Sequence, residues 1–132
     1  KGVYAANDGQ AGGVVAAMTG AGVSADALPP ITGQDAELAA VQRIVAGEQF
    51  MTIYKALKLE AETAAQLAID LLNGKTLTGE SADTDGVPTT LLNPVVVTID
   101  NIMDTVIADG FYTVEDICTA EYADACAAAG IQ

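Results

Sequence analysis

Histidine and tryptophan are absent from this chain of 132 residues, which carries two cysteines, four tyrosines, two phenylalanines and five basic residues. Without histidine, neither a Ser-His-Asp nor a Cys-His catalytic group can be assembled from the chain, and no histidine zinc site can form. Two thiols with no histidine are too few donors for a structural metal site. No apolar run approaches the length needed to cross a membrane, and Lys1 is not followed by the hydrophobic region of a signal peptide. The sequence opens inside an apparent strand without an initiator methionine, which suggests a mature fragment or a clipped piece.

Basic residues are scarce relative to acids, 5 against 18, giving a net charge of −13. That balance argues against nucleic acid, anionic membranes and phosphate-rich partners. Most of the acids fall in the second half, as expected of a well-solvated surface. Asp83-Thr84-Asp85-Gly86 has the look of a calcium loop. It fails on spacing, because no glutamate arrives at the twelfth loop position. What is plentiful is apolar surface, at 51% of residues with 13 glycines, enough for one domain with its own core.

Alternation of short β-favouring runs with helical patterns organises the chain. Gly2 to Ala6 reads as a buried strand, and Gly9 to Ala21 as a helix whose small residues Ala11, Gly12, Gly13, Ala16 and Ala17 allow close packing. Ile31-Thr32-Gly33 is a second strand. Asp35 is placed to cap the next helix, which runs to about Ala46 with Leu38, Val41, Ile44 and Val45 as its apolar stripe. Phe50 to Tyr54 is a third strand, with both aromatics read as core rather than as a stacking platform. The longest helix starts at Leu57 or Leu59 and ends near Leu72 at the stop signal Asn73-Gly74, burying Ala61, Ala64, Ala65, Ala68 and Leu71 or Leu72. Three strand–helix units in a row predict a parallel, doubly wound α/β arrangement. Beyond a polar loop, Thr89 to Thr98 is β-rich but interrupted by Asn93-Pro94, so it is an edge strand or is bent at a hinge. Thr98 can cap a short helix carrying Ile102, Met103, Val106 and Ile107; Thr113 and Asp116 have capping-box spacing; Glu121 to Ala129 is a last helix ending at Gly130.

Asn7-Asp8 stands where the first strand gives way to the first helix, and Asp35 and Lys55 occupy similar positions after the next two strands. In an open α/β sheet these carboxyl ends of strands are where ligands bind.

Several runs carry a family resemblance: Tyr4-Ala5-Ala6-Asn7-Asp8-Gly9 with Ala11-Gly12-Gly13, Thr32-Gly33-Gln34-Asp35-Ala36-Glu37-Leu38, Gln42-Arg43-Ile44 with Ala46-Gly47-Glu48-Gln49, Met51-Thr52-Ile53-Tyr54-Lys55, and Pro94-Val95-Val96-Val97-Thr98 with Asp100-Asn101-Ile102. In their order and spacing they resemble the C-terminal part of bacterial sugar-binding proteins of ABC transporters, in the ribose, galactose and xylose class and nearest its D-xylose-binding branch. The resemblance implies the C-terminal lobe of a type I periplasmic-binding-protein-like fold, a three-layer α/β unit with an open, mostly parallel sheet. Residues 1–132 would be a partial receptor whose last interlobe crossing lies near residues 92–96, with the N-terminal lobe missing. It further implies a monosaccharide ligand, an ABC permease as partner, no cofactor, no nucleic acid and no catalysed reaction. The setting it implies is periplasmic or extracellular, with a lipid anchor on the outer face of the cytoplasmic membrane as one form of the full-length protein.

Carried over by motif, Asn7, Asp35 and Lys55 are the sugar-contacting residues, and lysine rather than glutamine at position 55 points to the xylose branch. Their chemistry suits a neutral polyol: an amide that donates and accepts, a carboxylate that takes two hydroxyl protons, and an ammonium that donates to oxygen. Asp8 reads as structural first, satisfying donors of the turn or helix start, and as a ligand contact second. Cys118 and Cys126 would stand roughly 12 Å apart on one continuous helix, too far for a bond. A bridge therefore needs Cys118 to precede the helix and turn back, and the exported setting implied by the resemblance favours it. Two rival functions remain from the sequence. One is a glycoside hydrolase using Asp8 and Asp35 as its carboxylate pair, which requires a separation of roughly 5–9 Å. The other is the sugar-sensing domain of a transcription regulator with the same lobed fold.

Overall fold

The computed structural model describes residues 1–77 and 86–132, so the expected polar loop, including Asp83 to Asp85 of the rejected calcium motif, lies largely outside the described residues. The chain divides into two compact units, one made of Lys1–Tyr54 with Val95–Gln132 and the other of Lys55–Pro94.

In the first unit, helix α1 spans Asp8–Gly20 and α2 spans Leu38–Val45, with strand β1 at Thr52–Tyr54. After the return of the chain come strand β2 at Val95–Val97, a single π-helical turn at Met103–Ile107, α4 at Val114–Ile117 and α5 at Ala123–Ala129. Ala11 and Val15 of α1 pack with Ala5 and Ile31 in one apolar cluster, against which Val3, Val14 and Leu28 close. Helix α2 turns Ala40, Val41, Ile44 and Val45 inward and lies against α1, α4 and α5; of the expected stripe Val41, Ile44 and Val45 are buried, while Leu38 is half-buried and Ala40 takes the fourth buried place. Val97, Ile102, Val106, Ile117 and Ile131 complete the core from the C-terminal segment.

The expected mostly parallel sheet is not what forms. Among the described residues the one sheet has two strands, β1 and β2, paired antiparallel in the register Thr52 to Val97, Ile53 to Val96 and Tyr54 to Val95. Among the described residues the one isolated bridge is parallel, between Val3 and Ile31. Side chains interrupt the ladder there: the Ala5 amide donates to Thr32 Oγ1 (3.2 Å) rather than to a carbonyl. Between the second and third extended segments, isolated bonds run from Phe50 N to the Ile31 carbonyl and from Ile53 N to the Gly33 carbonyl. Pro94, with no amide to donate, sits immediately before β2, as an edge strand allows.

The helix around residue 103 differs in kind. Its first residue is preceded by Ile102, and no side chain caps it; the Thr98 amide donates to Asn101 Oδ1 at 2.9 Å. Thr113 and Asp116 form the full capping box, each side chain accepting the other's amide. Gly130, at φ 72°, ends α5 in the left-handed conformation that glycine adopts without cost. Cys118 is the residue after α4 and Cys126 lies in α5; the chain turns between them, and the two are disulfide-bonded with Cα atoms 5.9 Å apart.

The second unit holds helix α3 at Leu57–Leu72, which matches the expected span. Its expected buried face is absent: none of its residues is buried, and Leu57, Leu71 and Leu72 are 57%, 56% and 87% exposed. A stripe of alanines buries only where another element covers it, and the described part of this unit supplies no such element. Lys75 Nζ pairs with Asp70 at 2.8 Å just past the helix end.

Tyr54 and Phe50, both expected in the core, separate: Tyr54 is buried while Phe50 is 60% exposed. Burial, followed by the hydrogen bond its hydroxyl donates to Asp109 Oδ2 (2.5 Å), pushes the Tyr54 phenol up to about 12. A folded-state value above the unfolded one, near 10 for tyrosine, gives stability that is complete below pH ~10 and lost as pH rises towards ~12. Unfolding free energies measured by urea titration should therefore fall through that window, and Tyr54→Phe should flatten the fall; an unchanged slope in the variant would contradict the role given to this hydroxyl.

Candidate functional site

Two turns at the ends of the first two extended segments build the site, and a single buried carboxylate fastens them together. Asn7 is the N-cap of α1: with extended backbone (φ −152°, ψ 172°), its Oδ1 accepts the Gln10 amide at 2.8 Å. Gln10 answers by accepting the Ala6 amide through Oε1 at 3.1 Å. Asp8 comes next, already inside the helix, and its side chain turns into the protein, with 0% exposed surface.

The Asp8 carboxylate accepts hydrogen bonds from the Glu37 amide (2.9 Å), the Thr52 hydroxyl (2.8 Å) and Gln49 Nε2 (2.9 Å). A carboxylate taken out of water is tolerated only with such partners, and here they come from two segments, the turn before α2 and the stretch that leads into β1. Arg43 completes the surroundings, donating from Nη2 to the Asp8 carbonyl (2.9 Å) and from Nε to Gln49 Oε1 (3.1 Å). Asp8 N donates to the Gln34 carbonyl at 2.9 Å, so the main chains of the two turns are also joined. Space for the carboxylate exists because residue 33 is glycine: a Cβ there would collide with Asp8 Oδ1 and stand 2.5 Å from Gln49 Nε2.

Asp35 is exposed and does not cap α2, contrary to the expectation. The helix begins at Leu38 with Glu37 as N-cap, and no side chain closes it. The reason is local: Asp35 and Ala36 take positive φ, 100° and 52°, which turns the chain away from the cap geometry. Lys55, exposed, is the first residue after β1 and opens the second unit. There it lines a hollow of about 240 Å³ with Leu59, Glu60 and Leu91 to Pro94. The structure thus joins Asn7 and Asp35 within the first unit, while Lys55 belongs to the second.

The Asp8 carboxylate is buried and accepts three hydrogen bonds from protein donors, an arrangement that suits a structural role. The sequence reading that puts a structural role first for Asp8 expects its donors from the turn or helix start, whereas they come from Glu37, Gln49 and Thr52. Its partners Gln49 and Thr52, and the space left by Gly33, are not expected from the sequence; the visible signal is a glutamine just before, and a threonine within, an otherwise apolar strand. Among the described residues no cluster of three metal-binding side chains occurs, and no helix is long and apolar enough to cross a membrane.

Residues 1–76 match the family model described as periplasmic binding protein domain. The chain belongs to the periplasmic binding protein family. It is similar to the D-xylose-binding periplasmic protein of Escherichia coli strain K12, at 45% identity over 113 residues that make up 83% of this chain and 34% of that protein. The D-xylose-binding periplasmic protein of Haemophilus influenzae is 42% identical over 118 residues, 87% of this chain and 35% of that protein. Among solved structures, a carbohydrate transporter solute binding protein from Chloroflexus aurantiacus, in complex with D-glucose, superposes with a TM-score of 0.72 at 31% identity, covering 88% of this chain and 35% of that one. The chain spans about a third of the length of each of these three proteins. Its fold is accordingly an α/β lobe of the periplasmic-binding-protein kind, with the sheet corrected as described above.

The carboxylate junction predicts opposite outcomes for two glycine substitutions. Gly33→Ala should destabilise the protein by roughly 3 kcal/mol, since Asp8 or Gln49 must leave its hydrogen bonds. Gly13→Ala, in α1 with open space around it, should stabilise by about 0.5–1 kcal/mol. Urea midpoints of the two variants check this, and similar midpoints would contradict the close packing at Gly33.

Proposed function

We propose that this chain is the C-terminal lobe of a receptor that captures a monosaccharide between two lobes and delivers it to an ABC transporter, without catalysing a reaction. The observation that carries the proposal is the Asp8 junction, which holds the Asn7 and Asp35 turns side by side while keeping its own carboxylate out of the site. In this reading Asn7, with Oδ1 engaged by α1, turns its amide donors to the sugar. Asp35 accepts hydroxyl protons and Lys55 donates to ring or hydroxyl oxygen.

Xylose is the leading candidate, because two of the relatives are D-xylose-binding proteins and lysine stands at position 55. D-glucose is next, since it is the ligand in the Chloroflexus aurantiacus complex. A hydroxyl missing from the wrong sugar leaves one of these polar groups unpaired in a closed cleft, which is how a small site discriminates. The N-terminal lobe supplies the opposing wall, Leu92 to Val96 lie near the last crossing between lobes, and the working place is the periplasm or the cell exterior.

Calorimetric titration of a full-length receptor containing this chain tests the proposal. D-xylose should bind to the full-length protein and not measurably to the 132-residue chain. Asn7→Ala should weaken full-length binding by about 10- to 100-fold, the worth of one or two lost polar contacts. Failure of xylose, glucose, arabinose and galactose alike to bind the full-length protein would overturn it.

A further inference from the structure

Among the described residues, Asp35 and Ala36 are the two non-glycine residues with positive φ. Left-handed backbone crowds the Cβ of any L residue and persists only where the surroundings over-determine it. Here three successive amides are each claimed by a different acceptor. Asp35 N donates to the Ile53 carbonyl (2.9 Å), Ala36 N to Thr52 Oγ1 (3.1 Å) and Glu37 N to Asp8 Oδ2 (2.9 Å). The Ala36 carbonyl accepts from the Tyr112 hydroxyl at 3.0 Å, from a residue 76 positions away.

The anchors are linked to one another. Thr52 Oγ1 accepts from Ala36 and donates its own proton to Asp8 Oδ2 at 2.8 Å. Ala36, Thr52 and Asp8 have no exposed surface, so water cannot replace these bonds without opening the unit. These four bonds all end on the backbone of the turn. Their effect is to fix where the Asp35 carboxylate stands.

We infer that Thr52 and Tyr112 are positioning residues for monosaccharide binding, holding the left-handed Asp35-Ala36 turn in the one conformation that presents the Asp35 carboxylate to the cleft. The inference rests on the proposed role of Asp35 as a sugar acceptor. A preorganised acceptor spares the ligand the cost of ordering the turn, so loosening the turn lowers affinity without removing any group that touches sugar.

The test uses Thr52→Val, Thr52→Ser and Tyr112→Phe in a full-length receptor containing this chain, titrated with D-xylose and D-glucose. Amide hydrogen exchange at Ala36 and Glu37 is measured on the same proteins. Thr52→Val and Tyr112→Phe should each weaken binding about tenfold, one neutral hydrogen bond's worth, and speed exchange at those two amides. Thr52→Ser, which keeps the hydroxyl, should retain wild-type affinity. If Thr52→Val does not fold, Tyr112→Phe, which keeps its ring in place, decides the matter. Wild-type binding together with undiminished binding by Tyr112→Phe overturns the inference. If the unsubstituted receptor binds neither sugar, the sugar-binding proposal itself falls; unchanged exchange at Ala36 and Glu37 in the variants would then overturn the positioning role separately, and faster exchange confined to them would support it.

Discussion

Burial of the Asp8 carboxylate is the constraint around which the first unit is arranged. A carboxylate without exposed surface demands donors, and the chain supplies them from the Glu37 backbone, the Gln49 amide and the Thr52 hydroxyl. The donors draw two segments, the turn before α2 and the stretch into β1, to the start of α1. The demand reaches further still: residue 33 has no room for a side chain, and Arg43 is drawn to the Asp8 carbonyl and to Gln49. Breaking such a junction by removing one partner strands the others, which is why buried polar networks hold a unit in one arrangement or fail together.

In the proposed reading the same junction separates structure from recognition. Of the adjacent pair Asn7-Asp8, one side chain faces the helix start and the other the interior, because residue 7 is the cap and residue 8 the first helical position. Asp35, two residues before Glu37, stays at the surface while its backbone is fixed. Polar groups held on a rigid frame suit a neutral, hydroxyl-rich ligand, which offers no charge of its own to draw it into place. A surplus of acids over bases, 18 to 5, agrees with a protein that does not seek polyanions.

Much of this was legible in the sequence where local chemistry decides the outcome. The spans of α1 and α3, three of the four stripe positions of α2 and the Thr113–Asp116 capping box follow from residue types a few positions apart. What was illegible depends on distant partners. Val95 to Val97 announce a strand through β-branching, yet nothing in them states whether Thr52 to Tyr54 will meet them parallel or antiparallel. Asp35 looks like a helix cap by its position, and becomes something else because Ile53, Thr52 and Asp8 claim the amides around it. The alanines of α3 carry the pattern of a buried face whether or not anything covers them. Phe50 and Tyr54 share a strand-like run, but only Tyr54 meets Asp109 and Phe111 from the C-terminal segment.

A crystal structure of a full-length receptor containing this chain, bound to D-xylose or D-glucose, tests the central claim most directly. The account predicts sugar hydroxyls within hydrogen-bond distance of the Asn7 amide and the Asp35 carboxylate, with Asp8 still engaged by Glu37, Gln49 and Thr52. A sugar held by Asp8, or bound with Asp35 turned away from it, would contradict the account.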